Sequence, residues 1–218
     1  FDLLGHIYEM PVGGGVARRL TNGRSWNLSP AYSPDGRSVA FSSDRSGSHN
    51  IWILDRQSGA LRTFPAQDEI DHRPVWSPDG QTLYAGTSAD GSPGHLVGYH
   101  LAGGSQTLVT GAGLNAGAAE PTGTGLLFER SDRSLFPFGF NPYLIPQGGA
   151  RIERYDRTTG EASVVVERVG GAFAPTLSPD GHQLAYVNRD IDETVLILRD
   201  LATRRERVLR RGLDHDRQ

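Results

Sequence analysis

Ser33-Pro34-Asp35-Gly36 recurs as Ser77-Pro78-Asp79-Gly80 and again as Ser178-Pro179-Asp180-Gly181. A degenerate copy stands at Pro121-Thr122-Gly123-Thr124-Gly125. The tetrapeptide suits a tight hairpin. Proline presets φ at the second turn position, aspartate bonds local backbone, and glycine takes the final strained position. A proline lies five residues before each Asp, at Pro30, Pro74 and Pro175; counted with Pro121, these prolines are 44, 47 and 54 residues apart. A second marker runs alongside. Short β-type runs end in turns at Gly14, Gly59, Gly103 and Gly160, with Arg204 at the matching place in the last copy, at spacings of 45, 44, 57 and 44. Two independent markers keeping one period define a structural repeat.

Each repeat reads as four short strands. A strand leads into the hairpin, and a second leaves it, as in Ser38-Val39-Ala40-Phe41 and Gln183-Leu184-Ala185-Tyr186. A third follows a polar loop, as in Ile51-Trp52-Ile53-Leu54, and a short fourth closes the unit, as in Leu61-Arg62-Thr63-Phe64. No apolar period of 3.6 is sustained, so very little helix is expected. Four antiparallel strands per repeat make the blade of a β-propeller, which buries its two faces against neighbouring blades. The expected fold is therefore all-β. Its complete blades fall at about 30–64, 74–110, 121–167 and 175–209, with a partial blade at 1–21 and the start of another at 213–218. The strand entering each hairpin lines the central channel, and the fourth faces solvent. Ends that fall inside blades imply a fragment of a larger ring. The opening Phe1-Asp2-Leu3-Leu4 reads as mid-strand, so the chain is expected to start inside a longer protein.

Composition narrows the function. Lys and Arg total 22 against 25 Asp and Glu, a net charge of −3, which disfavours a nucleic-acid partner. All 22 cations are Arg. With no Cys, disulfides and thiolate metal sites are excluded. No apolar run reaches the roughly 18 residues that a membrane span needs.

With the repeats laid out, the chain resembles TolB-like propellers, whose blades carry this Ser-Pro-Asp-Gly-x-x-apolar-Ala-Phe pattern. The resemblance implies a ring of six to eight blades. Similar blades occur in dipeptidyl-peptidase-like serine hydrolases. Asp2-Leu3-Leu4-Gly5-His6-Ile7-Tyr8, Phe140-Asn141-Pro142-Tyr143, Gly170-Gly171-Ala172-Phe173-Ala174-Pro175-Thr176-Leu177 and Leu198-Arg199-Asp200-Leu201-Ala202-Thr203 are similar to the propeller part of bacterial two-part proteins. In those, a TolB-like propeller precedes a metal-dependent amidohydrolase barrel. The resemblance implies a periplasmic or secreted hydrolase whose divalent metal would sit in a separate catalytic domain. No cofactor is expected in this chain.

Catalytic motifs are missing. The histidines form neither His-x-His nor His-Glu-x-x-His, and Gly-x-Ser-x-Gly is absent. Asp190-Ile191-Asp192-Glu193 and Asp214-His215-Asp216 do not carry the full pattern of a calcium loop, alternate Asp followed by Gly and a distant Glu. The candidate binding residues are polar groups expected at the channel mouths: Asp44 and Arg45, Asp71, His72 and Arg73, and Arg189 and Asp190. Asp44-Arg45 and Arg189-Asp190 are read as equivalent hairpin loops. The competing reading is that such pairs tie adjacent blades together. A second candidate is the insertion Ser134 to Pro146, where Phe136, Phe138, Phe140 and Tyr143 stand among prolines. Rings held on a stiff backbone fit contact with another domain or protein. The function expected is a non-catalytic scaffold or substrate-gating module of a larger exported hydrolase of amidohydrolase type. The alternative is a protein-interaction propeller in a cell-envelope complex.

Overall fold

The computed structural model describes residues 1–64, 70–88, 94–110, 114–131, 150–190 and 193–212. The described residues form five antiparallel sheets and no helix. The first sheet holds β1 (Asp2–Leu3), β2 (His6–Glu9) and β3 (Arg18–Arg19). The second holds β4 (Asn27–Tyr32), β5 (Ser38–Ser43), β6 (Asn50–Asp55) and β7 (Leu61–Thr63). The third holds β8 (Ile70–Trp76), β9 (Thr82–Ser88), β10 (His95–His100) and β11 (Ser105–Thr110). The fourth holds β12 (Leu114–Ala119), β13 (Gly125–Arg130), β14 (Arg151–Asp156) and β15 (Ala162–Glu167). The fifth holds β16 (Ala172–Leu177), β17 (Gln183–Asp190), β18 (Glu193–Asp200) and β19 (Glu206–Arg210). Strands run in sequence order within every sheet, as in the blades of a propeller. Residues 213–218, expected to begin another blade, lie outside the described residues.

Both sequence markers are turns with left-handed glycines. Gly36, Gly80, Gly123 and Gly181 have φ of 69°, 68°, 75° and 73°, and each amide donates to the carbonyl three residues earlier. The second marker holds at every place: Gly14, Gly59, Gly103 and Gly160 have positive φ, and Arg204 adopts 59° in the same role. The channel-lining strands start several residues before their prolines, at Asn27, Ile70, Leu114 and Ala172. Pro121 is not the counterpart of Pro30. Hairpin register makes it the counterpart of Pro34, and Gly117 takes the channel position. A Cβ at Gly117 would collide with the Pro175 ring of the next blade, so the chain carries glycine there.

Each interior blade has a forward face toward the next blade and a reverse face toward the one before. Ala40, Ile51 and Ile53 on one blade meet Trp76, Leu83, Ala85, Val97 and Tyr99 on the next. Tyr84 and Leu96 then meet Leu114, Ala116, Leu126 and Phe128, and Leu127 and Ile152 meet Ala172, Leu184, Tyr186, Val195 and Ile197. Ile7 of the first sheet packs likewise on Val39, Phe41 and Leu54. Period-two alternation sends successive residues of a strand to opposite faces, and here both are apolar because both are covered. At Gly86 the next blade comes so close that a Cβ would collide with the Leu114 carbonyl oxygen.

One carboxylate clamps the first two sheets. Glu9 accepts bonds from Arg18 Nε at 2.9 Å, Arg56 Nη2 at 2.9 Å and the Tyr32 hydroxyl at 3.0 Å. Those bonds, that of Arg18 foremost, hold its pKa down at about 2 against an ordinary 4.5. A carboxylate with a depressed native pKa stabilises the fold fully above the ordinary value and loses that contribution as pH falls through the native one. Stability is therefore expected to drop between pH 4.5 and 2, and Glu9→Gln is expected to flatten that part of a urea-midpoint profile. A slope unchanged by the substitution would remove the clamp. In the core, Gly86→Ala is expected to cost about 1–3 kcal/mol by overpacking, while Gly13→Ala, in open space, stays within about 0.5 kcal/mol.

Candidate functional site

The channel-lining strands β4, β8, β12 and β16 converge on an axial cleft of about 760 Å³. Its wall is made by Pro30, Tyr32, Pro74, Trp76, Gly117 and Pro175 with their neighbours. Among the described residues lining it, Arg73 carries the one charge. Each of these strands is bulged where it passes the axis. A bulge inserts an extra residue, bends the strand and re-aims side chains. In three of them the residue before the proline is left-handed: Ser29, Arg73 and Ala174 have φ of 54°, 47° and 49°. For residues other than glycine this region costs of order 1–3 kcal/mol. Its repetition in three blades makes it part of the architecture, and neighbouring carboxylates help hold it. Asp2 accepts the Ser29 N–H at 2.7 Å, and Glu129 accepts the Ala174 N–H at 3.1 Å. Asp2 pairs with Ile7 as Glu129 pairs with Ile152, so the two acids hold one register position in their blades.

Glu129 does more than cap an amide. Its side chain is 4% exposed and also accepts Arg73 Nη1 at 3.2 Å, whereas Arg73 is 48% exposed. One buried carboxylate thus joins the channel strand of the third sheet, its own fourth sheet and the channel strand of the fifth. It holds one terminal nitrogen of a guanidinium that lines the cleft. A positioned guanidinium on an apolar wall suits a carboxylate or backbone carbonyls of an extended polypeptide.

The other expected channel-mouth residues divide. His72 shares β8 with Arg73. Burial foremost, then His49 and Arg73, hold its imidazole at about 4, so it is neutral at pH 7. Asp71 lies on the same strand, with its side chain outside the described residues. Asp44 accepts the Trp26 N–H at 2.8 Å. Arg45 is turned inward. It donates to Ser43 Oγ at 3.0 Å and Asn27 Oδ1 at 2.5 Å, and its guanidinium lies over the Phe41 and Trp52 rings. Burial lowers its pKa from the ordinary value. Asp44 and Arg45 therefore brace one blade and do not meet Arg73. Arg189 and Asp190 are not loop residues: β17 runs through both, paired with Thr194 and Glu193, because this hairpin is shorter. Phe136, Phe138, Phe140 and Tyr143 lie outside the described residues. Glu129 was not among the expected residues. An acid ending the apolar run Leu126-Leu127-Phe128 was the available signal.

The carboxylates at the hairpin turns are structural. Asp35, Asp79 and Asp180 each accept a bond from the serine of their own hairpin, at 2.6, 2.5 and 2.5 Å, which lowers their pKa. Asp55, Asp156 and Asp200 end the third strands and accept amides of the following turn. No helix among the described residues is long and apolar enough to cross a membrane.

A family model for the TolB beta propeller domain matches residues 4–135. The chain is 37% identical over 78 residues to the uncharacterized peptidase YuxL of Bacillus subtilis (strain 168), covering 35% of this chain and 12% of that protein. Among solved structures it is similar to TolB from Acinetobacter baumannii, with a TM-score of 0.78 and 22% identity, over 94% of this chain and 48% of that one. It is also similar to a putative TolB from Agrobacterium tumefaciens, with a TM-score of 0.79 and 19% identity, over 96% and 75% of the two chains. The chain spans under a third of the length of the relatives that it matches in sequence.

Removing the Glu129 carboxylate strands the Ala174 amide. Glu129→Ala is expected to destabilise by about 1–3 kcal/mol in urea unfolding, and Glu129→Gln, which keeps an acceptor, by less. Equal losses for the two would show that the amide bond is not what holds the node.

Proposed function

This chain belongs to the TolB β-propeller domain family, and from that premise we propose that it is a non-catalytic docking and substrate-gating module of a larger exported hydrolase. The observation that carries the reading is the axial cleft with its one guanidinium. The cleft offers shape, apolar contact and an anchor for one polar group, which are the means of recognition. Chemistry on the bound segment then falls to another domain, of amidohydrolase type by the resemblance of the blade sequences. The likeness to a protein named as a peptidase supports a hydrolase setting. The module acts in the periplasm or outside the cell.

A second reading places the same cleft in a cell-envelope complex, where it holds a segment of a partner protein. The likeness to proteins named TolB homologs, 41% identical over 56 residues in Chlorobium luteolum, favours it.

Kinetics on the intact polypeptide separate the two. In the hydrolase setting, Arg73→Ala is expected to raise KM for polypeptide substrates about 10-fold or more, the loss of one charged hydrogen bond. The kcat on a small chromogenic amide stays unchanged. An equal fall in kcat on the small substrate would place Arg73 in the chemistry and sink the docking role. If no amide, ester or peptide is turned over, while cross-linking in cell envelopes joins the wild-type cleft but not the variant to one protein, the second reading holds.

A further inference from the structure

Asn22-Gly23 is the single Asn-Gly step in the chain, whereas Asp-Gly stands in each Ser-Pro-Asp-Gly hairpin. Both steps invite the same reaction. The glycine nitrogen attacks the side-chain Cγ of the residue before it, and glycine has no Cβ to hinder the approach. The hairpins suppress it. Gly36, Gly80 and Gly181 donate their N–H to the hairpin serine carbonyls at 2.8, 2.9 and 2.8 Å. Asp35, Asp79 and Asp180 accept the amides of Arg37, Gln81 and His182 at 3.0 Å each. Nitrogen and carboxyl group are both engaged. The lowered pKa of each acid also keeps it ionised at neutral pH, and an ionised carboxylate is a poor electrophile.

Asn22 and Gly23 differ on every count. They lie outside strands, on the crossover from β3 to β4, and both are exposed. Among the described residues no backbone carbonyl takes the Gly23 N–H, and the space around Gly23 is open. The Asn22 side chain is a neutral amide, and its Oδ1 accepts Arg19 Nη2 at 3.0 Å. A guanidinium on that oxygen draws electrons from Cγ and stabilises the oxyanion of a tetrahedral intermediate. Glu9 takes Arg18 and Arg56, but Arg19 has no carboxylate partner among the described residues. A carboxylate at position 22 would supply one.

We propose that Asn22 is a self-modification site, converted by the Gly23 nitrogen with Arg19 as the activating group. The Gly23 nitrogen bonds to Cγ, the Cγ–Nδ2 bond breaks, and ammonia leaves with the proton that the Gly23 nitrogen gave up. Water then opens the cyclic imide at either carbonyl, which leaves an aspartate or an isoaspartate at position 22. Either product adds a negative charge, and Arg19 becomes the partner of an ion pair. The isoaspartate also adds a methylene to the backbone that joins the first sheet to the second. Conversion therefore marks the age of a molecule at a fixed, exposed point, whatever the axial cleft binds.

The intact polypeptide is incubated at neutral pH in heavy-oxygen water and mapped by peptide mass, with electron-transfer fragmentation to tell isoaspartate from aspartate. Position 22 is expected to convert ahead of Asn27, Asn50, Asn115 and Asn188, with isoaspartate among the products and heavy oxygen incorporated there. Asp35, Asp79 and Asp180 are expected to take up none. Arg19→Ala is expected to slow conversion about 5-fold, the worth of one exposed hydrogen bond. Arg24→Ala, a neighbouring exposed arginine without a bond to Asn22, is expected to leave the rate unchanged. An unconverted Asn22 in the folded protein, when the free peptide Leu-Thr-Asn-Gly-Arg converts under the same conditions, would overturn the proposal. So would aspartate as the sole product, the mark of direct hydrolysis, or an equal or faster rate in Arg19→Ala.

Discussion

A single β-sheet has two faces and cannot bury either alone, and the stacking of forward face on reverse face answers that constraint blade after blade. Ile7, Ile51, Leu96 and Ile152 mark the seam, each buried by bulky residues of the following blade. Leu83, Leu126 and Leu184 return the contact from the other side at 0% exposure. Because each seam is the same, the sequence that makes it repeats, and the period seen in the turns is the period of the seam. Such a core requires no disulfide.

Where the sheets approach the axis they crowd one another, and side-chain size is settled by backbone proximity. Gly86 and Gly117 stand where a neighbouring carbonyl or proline ring leaves no room for a Cβ. Proline at the other channel positions fills the narrow end of the wedge with a compact apolar ring and lacks an N–H that would need a partner. The bulge before it leaves an amide that the next strand cannot satisfy, and Asp2 and Glu129 take two of these amides. The same geometry that demands a carboxylate at Glu129 brings it under Arg73. The anchoring of the charge at the cleft therefore grows from a structural need of the bulge.

The turns were legible because their chemistry is local: Ser-Pro-Asp-Gly makes its bonds within six residues, as Ser33, Asp35, Arg37 and Ser38 do. Strand order followed from hairpins short enough to allow only antiparallel neighbours. Even Arg204 was placed correctly by spacing alone, although its left-handed φ contradicts its residue type. What escaped was contact between blades. Proline marks two places in the repeat, so spacing alone pairs Pro121 with Pro30, and only hairpin register tells them apart. Arg45 reads as a mouth residue because it is charged and near a loop, yet Phe41, Trp52 and Asn27 draw it inward. The node of Arg73, Glu129 and Ala174 joins residues 56 and 45 positions apart in the chain, and nothing local announces it.

Variation within the constant seam then locates where a propeller can acquire a role. The register position beside the seam holds Asp2, Ser42, Gly86, Glu129 and Val187, five different residues against a near-uniform ladder of isoleucine and leucine. Packing fixes the ladder, since losing one buried aliphatic side chain costs about 2–5 kcal/mol. The neighbouring position, facing the bulge of the next channel strand, is held only by whatever that bulge requires, and the requirement changes with the residue before the proline. An amide to cap calls for an acid, a close backbone calls for glycine, and an arginine on the wall calls for a partner. These positions lie behind the channel strands that line the cleft, so the support of its wall can change from blade to blade while the stack itself stays the same.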